Sequence, residues 1–279
     1  MGLALLAGCG RWGFSEPDGG VEQALDGDGA IDDVDADPDA TDGPPIDAMS
    51  DAANLATYTV ATASGQIYAA LPGALPVPGF LTTADDESYA MTLPFTFKLY
   101  GVPYTLINIS VNGFVTFGAA PTGIETYLND CPLDATAPEA TIAVFWDDLF
   151  SNTTTAPVAS MTFAQDLAGA DRWFAIEWRD FDAYYQAGGG NNHFSQGLRV
   201  TQQVVLHESG VIEMKYGPRT APTLDRDCGL TRHQGCSATI GVEAAGNAPT
   251  NTVQCGNSIG PVGMFTAIDP GRTFTLTPQ

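Results

Sequence analysis

Two adjacent carboxylates, Asp147 and Asp148, are the residues of this chain best suited by type and spacing to chemistry. They follow an apolar run, and further acids stand on later segments at Glu177, Asp180 and Asp182. Two carboxyl groups facing each other across a cleft are the arrangement that hydrolyses glycosidic bonds. Adjacent carboxylates after a buried strand also accept hydrogen bonds from loop N–H groups, or bind structural calcium. The sequence favours this second role, and calcium at Asp147 and Asp148 is the one cofactor that it suggests.

Other catalytic patterns are weak. Residues 256–260 fit the pattern G-x-S-x-G, but no helical pattern follows Ser258, as a nucleophile elbow requires. His193, His207 and His233 are scattered, and no H-E-x-x-H motif is present. We therefore expect a protein without catalytic activity.

The cysteines indicate an oxidising compartment. Apart from Cys9, the chain has an even number of them, at Cys131, Cys228, Cys236 and Cys255. Cys228 and Cys236 flank a polar loop with glycine at both ends, which can bring them together and leaves Cys131 to pair with Cys255. A metal site formed by Cys228, His233 and Cys236 is the alternative, but no second closely spaced pair of ligands completes it. Two disulfides are the prediction.

The charge balance limits the partners. The chain has 33 acidic and 10 basic residues, for a net charge of −23. Such a field repels nucleic acid and anionic lipid headgroups, so we expect no nucleic-acid partner. After the cysteine at position 9, no apolar run approaches the roughly 18 residues of a transmembrane helix. The expected membrane contact is therefore through the N-terminus alone.

The acids are concentrated near the N-terminus. Between Glu16 and Asp51 there are 13 of them, among Gly, Ala and Pro residues with few large apolar side chains. Such a segment cannot bury enough apolar surface to offset the entropy lost on ordering. Residues 9–53 are therefore predicted to be a disordered acidic tether.

From residue 54 to residue 279 the pattern predicts an all-β domain, an antiparallel β-sandwich. Short alternating runs are separated by Gly, Pro and Asn, and a 3.6-residue period is absent. The predicted strands are 55–61, 89–93, 104–111, 114–117, 141–146, 158–163, 173–179, 198–207, 211–216, 238–243 and 273–277.

Two hairpins and one buried face follow from the same pattern. Asn112-Gly113 predicts a type I′ turn, in which both central residues have positive φ. A looser hairpin is expected over 208–210. In the strand 173–179, the face of Phe174, Ile176 and Trp178 is predicted to be core, and the opposite face, with Trp173, Ala175 and Glu177, to be exposed to solvent.

Leu6-Ala7-Gly8-Cys9 resembles the lipobox of bacterial lipoproteins. The resemblance implies that residues 1–8 are a truncated signal segment and that Cys9 carries the lipid. The positively charged segment that should open a signal peptide is missing, which suggests a start codon further upstream. Gly10 is not the Asp that resembles an inner-membrane retention signal. The expected location is extracytoplasmic, at the outer membrane or cell surface.

Six blocks resemble the nidogen-type extracellular β-domain in its bacterial form. They are 94–101, 109–118, 143–149, 173–180, 201–216 and 238–243, within a core of about 89–243. The resemblance implies a non-catalytic module of adhesive or matrix-associated proteins, without naming a ligand. The sequence therefore predicts a lipid-anchored module for surface binding, adhesion or scaffolding, whose partner is an extracellular protein or glycan. A tethered glycan hydrolase using Asp147 or Asp148 and a structural surface-layer component are the alternatives.

We expect Cys9 to be acylated, because it ends the lipobox-like run and precedes the acidic tether. Metabolic labelling with a tagged fatty acid should label the wild type expressed from its true start codon. The variant Cys9→Ala should lose the label and the membrane association. A Cys9→Ala protein that stays equally membrane-bound would contradict the lipid anchor.

Overall fold

Short alternating runs of apolar and polar residues become fourteen β-strands in the part of the chain that the computed structural model describes. The strands are β1 (Tyr58–Ala63), β2 (Leu75–Pro76), β3 (Ser88–Leu99), β4 (Val102–Ser110), β5 (Phe114–Phe117), β6 (Thr141–Trp146), β7 (Leu149–Phe150), β8 (Ser160–Asp166), β9 (Trp173–Ala183), β10 (Arg199–His207), β11 (Ile212–Thr220), β12 (Thr239–Glu243), β13 (Thr250–Cys255) and β14 (Thr273–Pro278). A 3-10 turn, Gly123–Thr126, lies between β5 and β6.

The described residues are 57–129, 133, 140–151, 157–183, 198–221, 235–246, 250–255 and 267–279. All of them belong to the larger of two compact units of the chain, Asp47–Gln279. Cys9 and the acidic segment 9–53 lie outside the described residues, so the lipid anchor and the tether stay predictions. No helix in the described ranges is long and apolar enough to cross a membrane.

The strands form two antiparallel sheets, which confirms the predicted all-β class. The larger sheet has the order β1-β14-β11-β10-β9-β8-β2, with β7 pairing to β9. The six-stranded sheet has the order β13-β12-β6-β5-β4-β3. In β3, an edge strand, the pairing with β4 is interrupted between Thr92 and Phe97, and Pro94 lies in this gap. Proline has no N–H group for the ladder, so an interrupted edge strand is where a sheet tolerates it.

The core lies between the two sheets. Phe174, Ile176 and Trp178 of β9 point into it, as their alternation predicts. Side chains also bridge the sheets by hydrogen bonds to backbone carbonyls, among them those of Trp178 and Tyr216. Trp178 Nε1 donates to Ser110 O at 2.8 Å, and Tyr216 Oη donates to Val144 O at 2.7 Å. Buried polar groups need partners, so these bonds fix where the sheets sit on one another.

The eleven predicted strands are all present, with ends that differ by up to six residues. Three others are additional to them. β2 and β7 have only two residues each, too few to show a period. β13 reads T-N-T-V-Q-C, with polar residues on both faces, and only Gln254 in it is buried. The hairpin predicted over 208–210 is confirmed, since β10 and β11 pair directly.

The turn at Asn112-Gly113 differs from the prediction. Gly113 has a positive φ of 79° and Asn112 does not, so the turn is not type I′. The connection between β4 and β5 has three residues, and Gly113 N–H donates to Ser110 O at 3.3 Å. The two-residue hairpin with positive φ at both positions is instead Tyr100-Gly101, between β3 and β4. The Tyr100 hydroxyl donates to Asn251 Oδ1 at 2.8 Å, a tertiary bond that helps to hold this residue in an uncommon backbone conformation.

Gly113 also creates a bulge in β6. Its carbonyl accepts two N–H groups, from Val144 at 3.1 Å and from Phe145 at 3.0 Å. Two residues of β6 therefore face one residue of the hairpin, which shifts the alternation. Val144 and Phe145 both join the main core, while Trp146 packs against Phe114 on the other side of the sheet.

We expect Gly113→Ala to destabilise the fold far more than Gly101→Ala. Both positions have positive φ, which costs an alanine about 1–2 kcal/mol. A Cβ on Gly113 would lie 2.3 Å from Phe145 O, whereas one on Gly101 meets nothing within 4 Å. The clash should add roughly 1–3 kcal/mol, measurable by urea unfolding of the two variants. Equal losses would show that the close approach to β6 does not matter.

Candidate functional site

The carboxylate of Asp147 faces the loop that follows β6. Only 3% of Asp147 is exposed. Its Oδ1 accepts the N–H of Asp148 at 2.9 Å, and its Oδ2 accepts the hydroxyl of Ser237 at 2.6 Å. These bonds fix the chain where it leaves the sheet, the role that the sequence favoured for an acid at this position.

Asp148 points to a different set of acids. One carboxylate oxygen from each of Asp85, Asp86 and Asp148 lies within 4.8 Å of the other two. Asp85 and Asp148 are half-buried. Oxygen ligands of this kind are those that calcium takes, usually six to eight in number. The structure therefore places Asp148, but not Asp147, in a group that can hold a cation.

Asn112 holds the loops around this cluster together. It is fully buried. Its Nδ2 donates to Asp86 Oδ1 at 2.9 Å and to Thr126 O at 2.6 Å, and its Oδ1 accepts the N–H of Leu149 at 2.6 Å. The sequence marked Asn112 only as a turn residue. Its three partners lie 14 to 37 residues away along the chain, so no local pattern could reveal this second role.

Two of the other three acids considered for catalysis are paired with arginines. Glu177 accepts from Arg179 at 2.8 Å, and the buried Asp182 pairs with Arg199 at 2.7 Å. Asp180 is half-buried, and burial raises the pKa of its carboxyl. Glu177 and Asp182 are thus neutralised by neighbouring guanidinium groups.

The structure describes only some of the remaining predicted residues. Cys236 and Cys255 are each disulfide-bonded. Their predicted partners, Cys228 and Cys131, lie outside the described residues, so the connectivity stays a prediction. Three further residues considered above also lie outside the described residues: Ser258, His193 and His233.

A second feature lies on the outer face of the eight-stranded sheet, which the sequence predicted to be open to solvent. That prediction is wrong, because Ala175 and Glu177 are both buried. Residues 64–72, which we call the strap, cover this face. The Tyr68 hydroxyl donates to Glu177 Oε1 at 2.7 Å, and Gln203 Nε2 donates to Ala69 O at 2.9 Å.

Glu177 is the anchor of the strap. Besides Tyr68 and Arg179, Gln203 donates to its carboxylate, at 2.8 Å. A buried carboxylate is costly unless it is paired and hydrogen-bonded, and these three donors meet that requirement. Burial, together with the negative charge of Glu177, raises the pKa of the Tyr68 hydroxyl. Tyr68 therefore remains a neutral donor at any ordinary pH.

A cavity of about 620 Å³ lies between the strap and the sheet. Its apolar lining includes Trp173 of β9, Val205 of β10 and the methyl-bearing side chain of Thr275 of β14. Its polar lining includes His207, Glu213, Lys215 and Arg272. The sequence did not reveal this cavity, because its walls come from segments separated by more than a hundred residues.

The charges beside the cavity are balanced against one another. Lys215 Nζ lies 2.7 Å from Glu213 Oε2, and His207 Nε2 lies 3.7 Å from the same oxygen. His207 Nδ1 lies 3.1 Å from Asp171 Oδ2. The neighbouring His207 and Lys215 lower the pKa of Glu213 to about 2, and Glu213 and Asp171 raise the pKa of His207. The 3.7 Å separation is too long for a hydrogen bond, so the geometry supports a Coulombic attraction for that pair.

Comparison with known proteins gives one match. A family model described as NIDO related matches residues 57–263, which covers the described strands from β1 to β13. This confirms the resemblance seen in the sequence and extends it beyond the predicted core of 89–243. Neither curated proteins nor solved structures gave a match.

We expect variants of the two neighbouring aspartates, Asp147 and Asp148, to respond differently to calcium. We expect added calcium to raise the melting temperature of the wild type, because a ligand that binds only the folded state stabilises it. Asp147→Asn should lose about 1–3 kcal/mol of stability through its loop bonds, yet keep the response to calcium. The double variant Asp86→Asn/Asp148→Asn should lose the response. An unchanged melting temperature in excess calcium and in chelator would contradict cation binding by the wild type.

Proposed function

The chain belongs to the NIDO-related family, and from that membership we propose that it is an extracellular binding module that acts in surface binding, adhesion or scaffolding. We assign it no chemical step. The lipid at Cys9 and the acidic tether are part of the proposal. Together they would keep the β-sandwich at the outer membrane or cell surface and hold it away from the lipid.

The observation that carries this proposal is the covered cavity on the eight-stranded sheet. The outer face of a two-sheet sandwich needs no cover to complete the core between the sheets. Here the chain nevertheless buries Glu177 and clamps the strap above it through Tyr68 and Gln203. The result is a concave space lined by apolar and polar side chains, which is what small-ligand sites have in common.

The charge of the domain supports the same choice of partners. About −11 remains on the chain after residue 51, so the folded part is acidic in its own right. Anionic polymers such as nucleic acids are disfavoured by this field, whereas neutral glycans and basic protein surfaces are not. Structural calcium at Asp148, with Asp85 and Asp86, completes the proposal and would stabilise loops without taking part in binding.

Hydrolysis of a glycan by Asp147 and Asp148 has less support. The Asp147 carboxylate accepts bonds from Ser237 and from the backbone of Asp148. A general acid or nucleophile must reach the substrate with such an oxygen. A structural surface-layer component is expected neither to bind a ligand nor to turn over a substrate. This distinguishes it from the binding module and from the hydrolase.

Binding and hydrolysis can be separated with the full-length protein on a panel of immobilised polysaccharides and extracellular matrix proteins. We expect retention on at least one surface, without the release of new reducing ends. Release of reducing ends by the wild type, abolished in a folded Asp147→Asn or Asp148→Asn variant, would replace the binding module by a hydrolase. Retention on no surface at all would favour the structural role.

A further inference from the structure

We propose that the cavity beneath the strap is a carbohydrate site that takes a short, uncharged stretch of glycan. The inference rests on the proposed binding function and adds the class of ligand and the residues that recognise it. Three features of the cavity support the inference. They are an aromatic and apolar wall, the presence of both hydrogen-bond donors and acceptors, and charged groups that are paired with one another.

The apolar wall suits the C–H face of a sugar ring. Trp173 is only partly buried, although it stands on a strand whose other neighbours on this face, Ala175 and Glu177, are buried. Its side chain lines the cavity together with Val205 and Thr275. An indole offers a large flat surface with one polar group at its edge, which suits a ligand that is apolar on its face and polar at its rim.

The polar lining suits hydroxyl groups, which both donate and accept hydrogen bonds. Lys215 and Arg272 supply donors, and Glu213 supplies an acceptor. A sugar hydroxyl can accept a hydrogen bond from the first two side chains and donate one to the third.

The charge balance selects an uncharged ligand. An anionic ligand would lie near the carboxylates of Glu213 and Asp171, and a cationic ligand near His207, Lys215 and Arg272. Glu213 already pairs with Lys215, and His207 with Asp171, so an ion entering the cavity beside these groups would compete with a partner that is in place. A neutral polyhydroxylated ligand needs no such exchange.

The experiment uses the full-length protein and a panel of neutral oligosaccharides built from glucose, galactose, mannose and N-acetylglucosamine. Digalacturonate, an acidic sugar, serves as the charged comparison. Binding is measured by isothermal titration calorimetry and by tryptophan fluorescence. We expect at least one neutral oligosaccharide to bind, with a change in emission from Trp173, and digalacturonate to bind at least about tenfold more weakly.

Two variants locate the site and one controls for it. Trp173→Ala should weaken binding at least about tenfold, and Thr275→Arg should block it by filling the cavity with a long side chain. Tyr127→Ala removes an exposed aromatic ring that does not line the cavity and should bind like the wild type. Circular dichroism melting checks that each variant is folded. If Trp173→Ala does not fold, the binding measured for Thr275→Arg alone shows whether the sugar occupies the cavity.

The outcomes separate the inference from the function on which it rests. Binding that survives in both folded cavity variants would place the sugar elsewhere and overturn the inference. Retention on a matrix protein without binding of any neutral oligosaccharide would also overturn it, while leaving the binding function in place. Preference for digalacturonate would refute the choice of an uncharged ligand. Retention on no surface, together with binding of no sugar, would contradict both the carbohydrate site and the binding function.

Discussion

The buried carboxylate of Glu177 is the interaction on which the outer face of the larger sheet depends. A charge at this depth needs hydrogen-bonding partners, and Tyr68, Gln203 and Arg179 all donate to it. Tyr68 belongs to the strap, so the hydrogen bond that it donates to the carboxylate also holds the strap over the sheet. Loss of the strap would leave a carboxylate with fewer donors, which ties a local electrostatic requirement to the existence of the cavity.

At the end of β6, a single backbone contact likewise determines the position of several groups. One carbonyl, that of Gly113, accepts two N–H groups of β6, and the resulting bulge sends Val144 and Phe145 into the core. The neighbouring Asn112 then binds Asp86 and the backbone of Leu149. Core packing and the position of the acidic cluster are thus set by two adjacent residues of one hairpin.

The sequence was sufficient for whatever depends on a local period. Strands with strict alternation, such as β9, could be predicted with their inward face, because side chains alternate along any extended chain. The strap could not, since 64–72 has no strand pattern and its anchor bond joins residues 109 positions apart. The same limit applies to the acidic cluster. Asp147 and Asp148 were recognisable as a pair, but only the tertiary structure shows that one faces Ser237 and the other faces Asp85 and Asp86.

The pairing of β1 with β14 has a consequence for how the protein is made. Tyr58 lies opposite Pro278, so the edge of the larger sheet is completed only when nearly the whole domain has been synthesised. Contacts between such distant parts of a chain slow folding, because loop closure precedes the gain from pairing. For a protein that we propose is exported, slower folding would leave more time for the unfolded chain to be threaded across a membrane before the sandwich closes.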